Sequence, residues 1–488
     1  REYESRLRNE GKVIADFTAR RGEIERALEA AAKRENATLA EHSALLDEVT
    51  GLVECPAIYV GRFDAAFLEV PQECLILTMQ QNQKYFPLFA ANGKLEPKFL
   101  IVSNMPLDDP RHIVAGNERV IRPRLEDARF FYRQDRKVRL EARVPELAKV
   151  VYHNKLGSQL ERVERIQLLA GRIARELGAD AVLAERAAWL SKADLLTGMV
   201  GEFPELQGIM GRYYAQADGE PQPVAAAIED HYRPRFAGDG LPAGKLADAV
   251  ALADKLDTLA GLFGIGQQPS GDKDPFGLRR AALGVVRILV EQSHALSLRD
   301  LVDAAFAGYG ARIGSAHTDL QTFIFERLAG YLRDRGYSTL EVDAVLTLNP
   351  VRVDLVPQQL EAVRAFLALP EASSLAAANK RVANILKQAA AKGEAFGDAD
   401  EAQLKEPAER ALFEALRTTA HQAGPLLRRG DFTGYLKSFA VLKSPVDSFF
   451  DSVMVMVDEP VLRRNRLALL ADLRDRMNQV ADISKLAA

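Results

Sequence analysis

Residues 156–177 read LGSQLERVERIQLLAGRIAREL, and at this stretch the pattern of the chain becomes helical. Val163, Ile166, Ala170 and Ile173 recur at intervals of three and four residues, which places them on one face of an α-helix. Similar apolar stripes recur from here to the C-terminus. Most of the chain is therefore predicted to consist of amphipathic helices packed through their apolar faces.

The sequence before this stretch has a different pattern. Residues 1–50 predict helix, because EIERALEAAAKR is rich in strong helix formers. Residues 51–150 contain the short runs AIYVGRF, FLEV, CLILTM and KFLIVSN, whose β-branched and aromatic residues predict strands. An Asn92-Gly93 pair between two apolar runs is typical of a hairpin turn. The predicted fold class is mainly α, with a smaller α+β domain near the start.

Three polar breaks divide the helical part of the chain. They read FGIGQQPSGDKDPFG at 263–277, PEASS at 370–374 and AKGEAFGDADEAQLKEP at 391–407. A chain of this length predicts several domains. The predicted units are a helical segment at 1–50, an α+β domain at 51–150, a helical middle at 151–300, a helical linker region at 301–370 and a helical domain at 371–488.

Bulk composition limits the class of protein. With 48% hydrophobic and 27% charged residues, the sequence is that of an ordinary globular protein, and we expect no membrane span. The chain opens on Arg1 in a charged segment, so we expect an N-terminally truncated protein without a secretory leader. Two cysteines, Cys55 and Cys74, fit a reducing cytoplasm. Because the net charge is −4, nucleic-acid binding would depend on local basic patches.

Histidines and aspartates in the helical middle form the first candidate site. His153, Asp194, His231 and Asp254 follow the order of the ligands in HD phosphohydrolase domains, where they bind a metal that activates water. Ala193 stands where the second histidine of such a site is expected, and alanine offers no ligand. Two alternatives follow: a metal-dependent phosphohydrolase, or an HD-like scaffold that has lost its metal.

A glycine-rich loop is the second candidate. Gly266 to Gly271 matches the first part of a phosphate-binding P-loop, but Asp272 replaces the lysine and would repel a phosphate. The basic pair Arg279-Arg280 follows at the start of a predicted helix. We therefore expect a structured turn, with this pair as a candidate contact for an RNA phosphate.

The third candidate is the basic segment NERVIRPRLEDARFFYRQDRKVRLEAR at 117–143. Cations neutralise RNA phosphates, and the aromatic residues at 130–132 are of the kind that stack on bases. Acidic residues at 126, 127 and 135 also allow a salt-bridged helix with a buried aromatic face. Both interpretations stay open. The basic residues in question are Arg119, Arg122, Arg124, Arg129, Arg133, Arg136 and Lys137.

Two further segments carry polar groups suited to RNA. Residues 79–89, MQQNQKYFPLF, place amides beside Lys84, where they would either pair with base edges or simply end a strand. The C-terminal domain presents basic groups on amphipathic helices, which are either RNA contacts or a solvated face. Those basic groups are Lys437, Lys443, Arg463, Arg464, Arg466 and Arg474.

Six segments, taken together and in order, resemble the glycyl-tRNA synthetase β-subunit family. They are MQQNQKYFPLF, VIRPRLEDARFFY, YHNKLGS, KADLLTGMVGEFPELQGIMGRYYA, ALADKLDTLAGLFGIGQQPSGDKDPFGLRRAA and the terminal RRNRLALLADL with DISKL. The segments extend over nearly the whole chain. One departure is local: the family's usual phrase is close to PTGSKDPFALRR, whereas this chain reads PSGDKDPFGLRR.

This resemblance implies a role within glycine–tRNA ligase, an aminoacyl-tRNA synthetase. The chain would bind tRNA-Gly and position it for ATP-dependent glycylation in the active site of a partner α subunit. It would carry no catalytic residue and no cofactor of its own, with ATP and magnesium bound by the α subunit. It would act in the cytoplasm, without DNA or a membrane as partner.

The resemblance also assigns the domains and the candidate contacts. The middle would be HD-like with a degenerate metal site, and the C-terminal domain would resemble the helical anticodon-binding domain of arginyl-tRNA synthetases. Basic residues at 437, 443 and 463–466 would then contact the anticodon end, and those at 119–136 the acceptor arm or body. A structural scaffold for the α subunit with few RNA contacts remains an alternative.

Overall fold

A computed structural model describes residues 2–487 of the chain. They divide into two compact units. The first holds the chain as far as Tyr152, with Ser158–Val163 and Arg186–Glu229. The second holds His153–Gly157, Glu164–Glu185 and the chain from Asp230 onward. The predicted fold class, mainly α with a small α+β part near the start, is confirmed.

The α-helices of residues 2–487 alternate with short loops and 3₁₀ turns. Up to residue 230 they are α1 (Glu2–Asn9), α2 (Phe17–Arg34), α3 (Ser43–Leu52), α4 (Gln72–Gln83), α5 (Arg111–Asp135), α6 (Leu140–Arg143), α7 (Gln159–Leu177), α8 (Ala181–Leu190), α9 (Gly198–Glu202), α10 (Ile209–Ala217) and α11 (Gln222–Asp230).

The remaining helices belong to the second unit. They are α12 (Lys245–Gly264), α13 (Leu278–Glu291), α14 (Leu298–Tyr309), α15 (His317–Asp334), α16 (Thr339–Leu346), α17 (Val356–Leu367), α18 (Ala372–Ala391), α19 (Pro407–Arg428), α20 (Phe432–Ser438), α21 (Lys443–Ser452) and α22 (Pro460–Met477).

The strands lie near the start of the chain. They are β1 (Thr38–Leu39), β2 (Ala57–Arg62), β3 (Phe86–Phe89), β4 (Leu95–Ser103), β5 (Val151–His153) and β6 (Gly157–Ser158). The first four form an antiparallel sheet in the order β1-β3-β4-β2, while β5 and β6 form a two-stranded ladder. The runs AIYVGRF and KFLIVSN are thus confirmed as strands, and the Asn92-Gly93 turn joins β3 to β4.

The prediction of a strand was wrong for two of the four runs. The CLILTM run lies within α4, and most of FLEV lies in a 3₁₀ helix at Ala65–Glu69. In α4, Cys74, Leu75, Thr78 and Met79 are buried, so their spacing follows the helical repeat. Composition alone had favoured strands there because periodicity is hard to recognise in so short an apolar run.

One hydrophobic core joins the sheet to the helices that precede it. Ile24 and Leu28 of α2 and Leu46 of α3 are buried against residues of β3 and β4, among them Phe86 and Leu100. Burial of these side chains fixes the sheet on the helical layer. The core therefore spans both sides of the boundary expected near residue 51.

The second unit is built around α12, which is buried along almost its whole length. Helices α13, α14 and α15 pack on it, and its buried residues include the charged side chains Asp248, Asp254, Lys255 and Asp257 besides the apolar ones. Toward the C-terminus, α19 packs on α20 and α21, and α18 packs on α22. Helix α17 packs on α20, so the region expected as a linker makes tertiary contacts of its own.

Candidate nucleic-acid interface

The basic segment at 117–143 lies largely on α5, whose buried face includes Ile121 and Leu125. Because that face points into the core, most of the intervening arginines are exposed. Asp135 continues the buried face and accepts hydrogen bonds from the Tyr214 hydroxyl at 2.8 Å and from two backbone amides. Its carboxylate is therefore part of the interior network of the first unit.

Three of the α5 arginines are held by neighbouring groups. Arg133 lies 2.6 Å from a carboxylate oxygen of Glu69, and Arg124 lies 4.0 Å from an aspartate three residues along the helix. Arg129 is half-buried, with its guanidinium over the Phe67 ring at 4.6 Å from the centroid. These contacts agree with the interpretation of α5 as a salt-bridged helix surface.

Arg119 and Arg122 differ from these three. Both are exposed, and neither makes an ion pair within residues 2–487. They line a groove of about 500 Å³ with Phe63, Phe67 and Arg62 among its other walls. A surface groove that combines guanidinium groups with an aromatic edge has the chemistry of a contact for RNA phosphates.

The aromatic residues of the candidate segments are mostly used internally. Tyr132 stacks on Tyr214 with ring centroids 6.0 Å apart, whereas Phe130 is 57% exposed. In residues 79–89, Tyr85 and Phe86 are buried, and Gln81 donates a hydrogen bond to a glutamate at 2.9 Å. Phe130 is thus the most exposed aromatic ring on α5 and the one that a base could reach.

The glycine-rich loop before α13 is a structured turn, as expected. Ser270 and Lys273 form an isolated antiparallel bridge, and Asp274 accepts hydrogen bonds from the amides of Leu278 and Arg279 at 2.8 and 2.9 Å. A carboxylate therefore already occupies the N-terminus of α13, where a P-loop would hold a phosphate. Arg279 is half-buried and donates to the carbonyl of Gly271, while Arg280 is exposed.

The HD-like positions in the first unit do not offer a metal-binding donor set. Ala193 and Asp194 are both buried in a 3₁₀ helix. One Asp194 oxygen accepts the amides of Gly208 and Gly211 at 2.6 and 3.0 Å, and burial raises the pKa of this carboxyl to about 6. A carboxylate that is buried and bonded to backbone amides, next to an alanine, does not fit a metal ligand.

The HD-like positions of the second unit are also in structural contacts. His231 is buried and lies against the ring of Tyr232, with centroids 3.9 Å apart. The ring of His153 meets Phe276 edge-on at 5.9 Å, and Asp254 is buried on α12. Within residues 2–487 no group of three or more histidine, cysteine or acidic side chains is placed to hold a metal ion.

The C-terminal basic residues fall into two groups. Arg466 is buried, pairs with the buried Glu409 and donates to the Met454 carbonyl at 2.6 Å. Arg463 pairs with Glu394 at 2.7 Å and donates to the carbonyl of residue 457. These two guanidinium groups therefore stabilise the fold and are not available as RNA contacts.

The second C-terminal group is accessible. Lys437 and Arg464 are exposed, and neither makes an ion pair in the part of the chain that the structure describes. Lys443 is half-buried and lies 2.7 Å from Asp447. Lys437 and Arg464 therefore remain candidate phosphate contacts.

A groove of about 790 Å³ in the C-terminal region was missed from the sequence. Phe413 and His421 of α19 line one side, and the 396–399 loop brings Phe396 to it. Arg474 and Arg476 of α22 contribute cations, offset by aspartates at 398, 472 and 475. His421 is exposed and the two phenylalanines are half-buried, so these rings beside guanidinium groups provide surfaces on which unpaired bases can stack.

Family models match the chain in two successive regions. One described as glycyl-tRNA synthetase beta subunit matches residues 1–347, and one described as DALR anticodon binding domain matches residues 375–486. The groove of about 790 Å³ lies within the second region. No helix of residues 2–487 is both long and apolar enough to cross a membrane.

Several curated proteins are similar over the whole chain. Over 489 residues it is 62% identical to the glycine–tRNA ligase beta subunit of Thiobacillus denitrificans and 60% identical to that of Aromatoleum aromaticum. It is 58% identical to that of a Janthinobacterium species over 488 residues. The alignments cover all of this chain and 69 to 70% of each relative.

Proposed function

The chain belongs to the glycyl-tRNA synthetase β-subunit family, and on that basis we propose how its surfaces hold tRNA. It is the tRNA-binding β subunit of glycine–tRNA ligase, an aminoacyl-tRNA synthetase. Its task is positional. Phosphate contacts fix the register of the tRNA, and contacts to unpaired bases discriminate between tRNAs.

The groove that contains Phe413 and His421, here called the C-terminal groove, carries the proposal. It lies inside the region that matches the anticodon-binding domain model. Anticodon bases are unpaired, so their faces and edges are free to be read by stacking and hydrogen bonding. We assign the anticodon end of tRNA-Gly to this groove, with Lys437 and Arg464 as accessible phosphate contacts of the same domain.

The α5 groove, formed around Arg119 and Arg122, is the proposed second contact. It lies in the first unit, and Arg119 and Arg122 form no ion pair with a carboxylate within residues 2–487. Each contact to a phosphate adds affinity without reading sequence, and it orients the remainder of the tRNA. We assign this groove to the acceptor arm or the body of the tRNA.

The chemical step belongs, in this proposal, to a partner α subunit that binds glycine, ATP and magnesium. The donor groups of this chain support that division. The amides at the N-terminus of α13 donate to the Asp274 carboxylate, which occupies the place where a P-loop would bind a phosphate. Within residues 2–487 the HD-like positions do not form a set of side chains that could bind a metal ion. The β subunit then contributes to rate by orienting the tRNA end at the α active site.

A pair of phenylalanine substitutions tests the assignment of the C-terminal groove. Phe413→Leu keeps an apolar side chain but removes the π-face, and Phe17→Leu does the same at an exposed ring of α2. Each is titrated with tRNA-Gly and with the same tRNA carrying replaced anticodon bases. We expect Phe413→Leu to weaken tRNA-Gly binding about 5-fold or more, which corresponds to ~1 kcal/mol of base stacking.

The anticodon-replaced tRNA gives the assignment its specific readout. The unsubstituted chain should prefer the intact anticodon, and Phe413→Leu should reduce that preference while Phe17→Leu preserves it. If both substitutions leave the preference unchanged, the anticodon does not lie in this groove. Melting temperatures of the two variants control for loss of folding.

A further inference from the structure

A basic groove in the second unit lies outside the surfaces assigned above. It has a volume of about 550 Å³ and lies between α13, α15 and the 236–237 loop. Six arginines and two acidic side chains line it, so its walls carry a net positive charge. We call it the arginine groove. On a chain whose net charge is −4, such a local excess of cations marks an anion-binding surface.

Some of these arginines build the wall of the groove. Arg287 and Arg335 contact one carboxylate, that of Glu291, at 2.9 and 3.2 Å, and Tyr331 donates its hydroxyl to the same group at 3.1 Å. Partial burial acts to raise the pKa of Glu291, but the hydrogen bonds and positive charges of this cluster outweigh it and lower that pKa. Arg287 also donates to the carbonyl of Ala237 at 3.0 Å, which holds the loop in place. The wall is therefore preorganised before any ligand binds.

Two of the remaining arginines are available to a ligand. Arg280 and Arg333 are exposed, and neither makes an ion pair within residues 2–487. Arg280 lies over Gly277, whose φ of 65° and missing Cβ leave room for the guanidinium, since a Cβ there would meet its Nη2 at 2.8 Å. Arg327 is half-buried, 3.9 Å from a carboxylate oxygen of Glu326 and over the Phe323 ring, so it belongs to the wall. Phe236, 57% exposed, adds an aromatic ring.

The arrangement favours a polynucleotide over a free nucleotide. Proteins that bind a nucleotide polyphosphate commonly use backbone amides of a helix N-terminus. Here Asp274 accepts the amides at the N-terminus of α13, so these amides are not available to a phosphate. The groups that could bind an anion in this groove are then the arginine side chains. Separate guanidinium groups beside an exposed ring suit phosphates spaced along an RNA backbone.

We propose that the arginine groove is a further binding site for backbone phosphates of the bound tRNA, contacted through Arg280 and Arg333. The site rests on the proposed tRNA-binding function and deepens it. It places a phosphate contact on α13 and α15, in addition to those on α5 and on the C-terminal domain. Because contacts to backbone phosphates carry no sequence information, this site adds affinity without discriminating between tRNAs.

The test compares two double variants of the 488-residue chain. Arg280→Gln/Arg333→Gln removes two unpaired cations from the groove, and Arg26→Gln/Arg34→Gln removes two exposed cations of α2 that lie outside its lining and make no ion pair within residues 2–487. Labelled tRNA-Gly is titrated at three salt concentrations. We expect the groove variant to bind about 10-fold more weakly and its salt slope to fall by ~1.4 to 1.8. The control should change less than about 2-fold.

A substitution of opposite sign gives an independent check. Asp334→Asn removes one of the two acidic side chains of the groove. Binding of tRNA should then become about 2-fold tighter, because one source of repulsion toward phosphate is lost. A result in which Asp334→Asn weakens binding would argue against phosphate in the groove.

The possible outcomes separate this inference from the function on which it rests. Equal losses in the two double variants would overturn the groove site but leave tRNA binding intact. Titrations with ATP and with inorganic phosphate form the second arm. If the groove variant loses ATP binding but keeps tRNA affinity, the groove is a nucleotide site and the RNA assignment fails. If the unsubstituted chain binds no tRNA, the binding function and the groove site fail together.

Discussion

Arginines that look alike in the sequence have opposite roles in the structure. Arg464 and Arg466 lie two residues apart on α22, yet Arg464 is exposed and Arg466 is buried against Glu409. Glu409 also accepts the backbone amide of Lys405 at 2.7 Å. The pair thereby ties the start of α19 to α22. The sequence predicted the cationic character of this segment but not which cations are buried.

Substitution of these two arginines separates the roles. Arg466→Ala leaves the Glu409 carboxylate buried without its cation, so we expect a loss of about 3–5 kcal/mol in the free energy of unfolding. Arg464→Ala should change that free energy by less than about 0.5 kcal/mol. Urea unfolding followed by circular dichroism measures both. Equal unfolding midpoints for the two variants would contradict a structural role for Arg466.

Asp194 predicts a pH dependence at the residue scale. Burial raises its pKa to about 6, and the amides of Gly208 and Gly211 only partly oppose this. Since the folded-state pKa lies above the unfolded value of about 3.9, its contribution to stability is fully present below pH ~4 and is lost as pH rises through ~6.

Asp194→Asn keeps an oxygen acceptor for the two amides but does not titrate. The melting temperature of the variant relative to the parent chain should therefore rise between about pH 4 and pH 7, by the equivalent of ~2 kcal/mol. Thermal melts across this range measure the difference. A difference independent of pH would mean that Asp194 is ionised at the same pH in the folded and unfolded chains.

At the scale of elements, periodicity predicted helices well and composition predicted strands less well. The stripe through Val163 and Ile173 is buried in α7, as expected. The CLILTM run was wrongly predicted as a strand because so short an apolar run fits both the two-residue repeat of a strand and the roughly 3.6-residue repeat of a helix. Its burial as a helix depends on packing partners that are distant in sequence. On α5, the sequence could not decide between a salt-bridged surface and an RNA contact.

The structure divides the α5 arginines in a way that makes this choice testable. Arg119→Gln/Arg122→Gln removes the unpaired cations, whereas Arg124→Gln/Arg133→Gln removes two with acidic neighbours. We expect the first pair to weaken tRNA binding about 5- to 10-fold and to lower the salt slope by ~1.4. The second pair should have a smaller effect, because nearby carboxylates already offset its charge. Equal effects in filter-binding titrations would contradict the α5 groove as an RNA contact.

At the scale of the whole molecule, the sequence was most informative through six segments in a fixed order. That order predicted a β subunit of glycyl-tRNA synthetase, and the family models confirm it over most of the chain. The C-terminal groove could not be predicted, because it combines Phe396, Phe413 and Arg474 from three separate segments. Only packing of α19 on the neighbouring helices brings such residues to one surface.

The central claim concerns the molecule as a whole: this chain holds tRNA-Gly through separate surface grooves that contain arginines, and it reads part of the identity of the tRNA. The most direct measurement is a titration of the chain, without an α subunit, against tRNA-Gly and a non-cognate tRNA at two salt concentrations. We predict binding that weakens with salt and favours tRNA-Gly. An absence of binding to either tRNA at low salt would contradict the account.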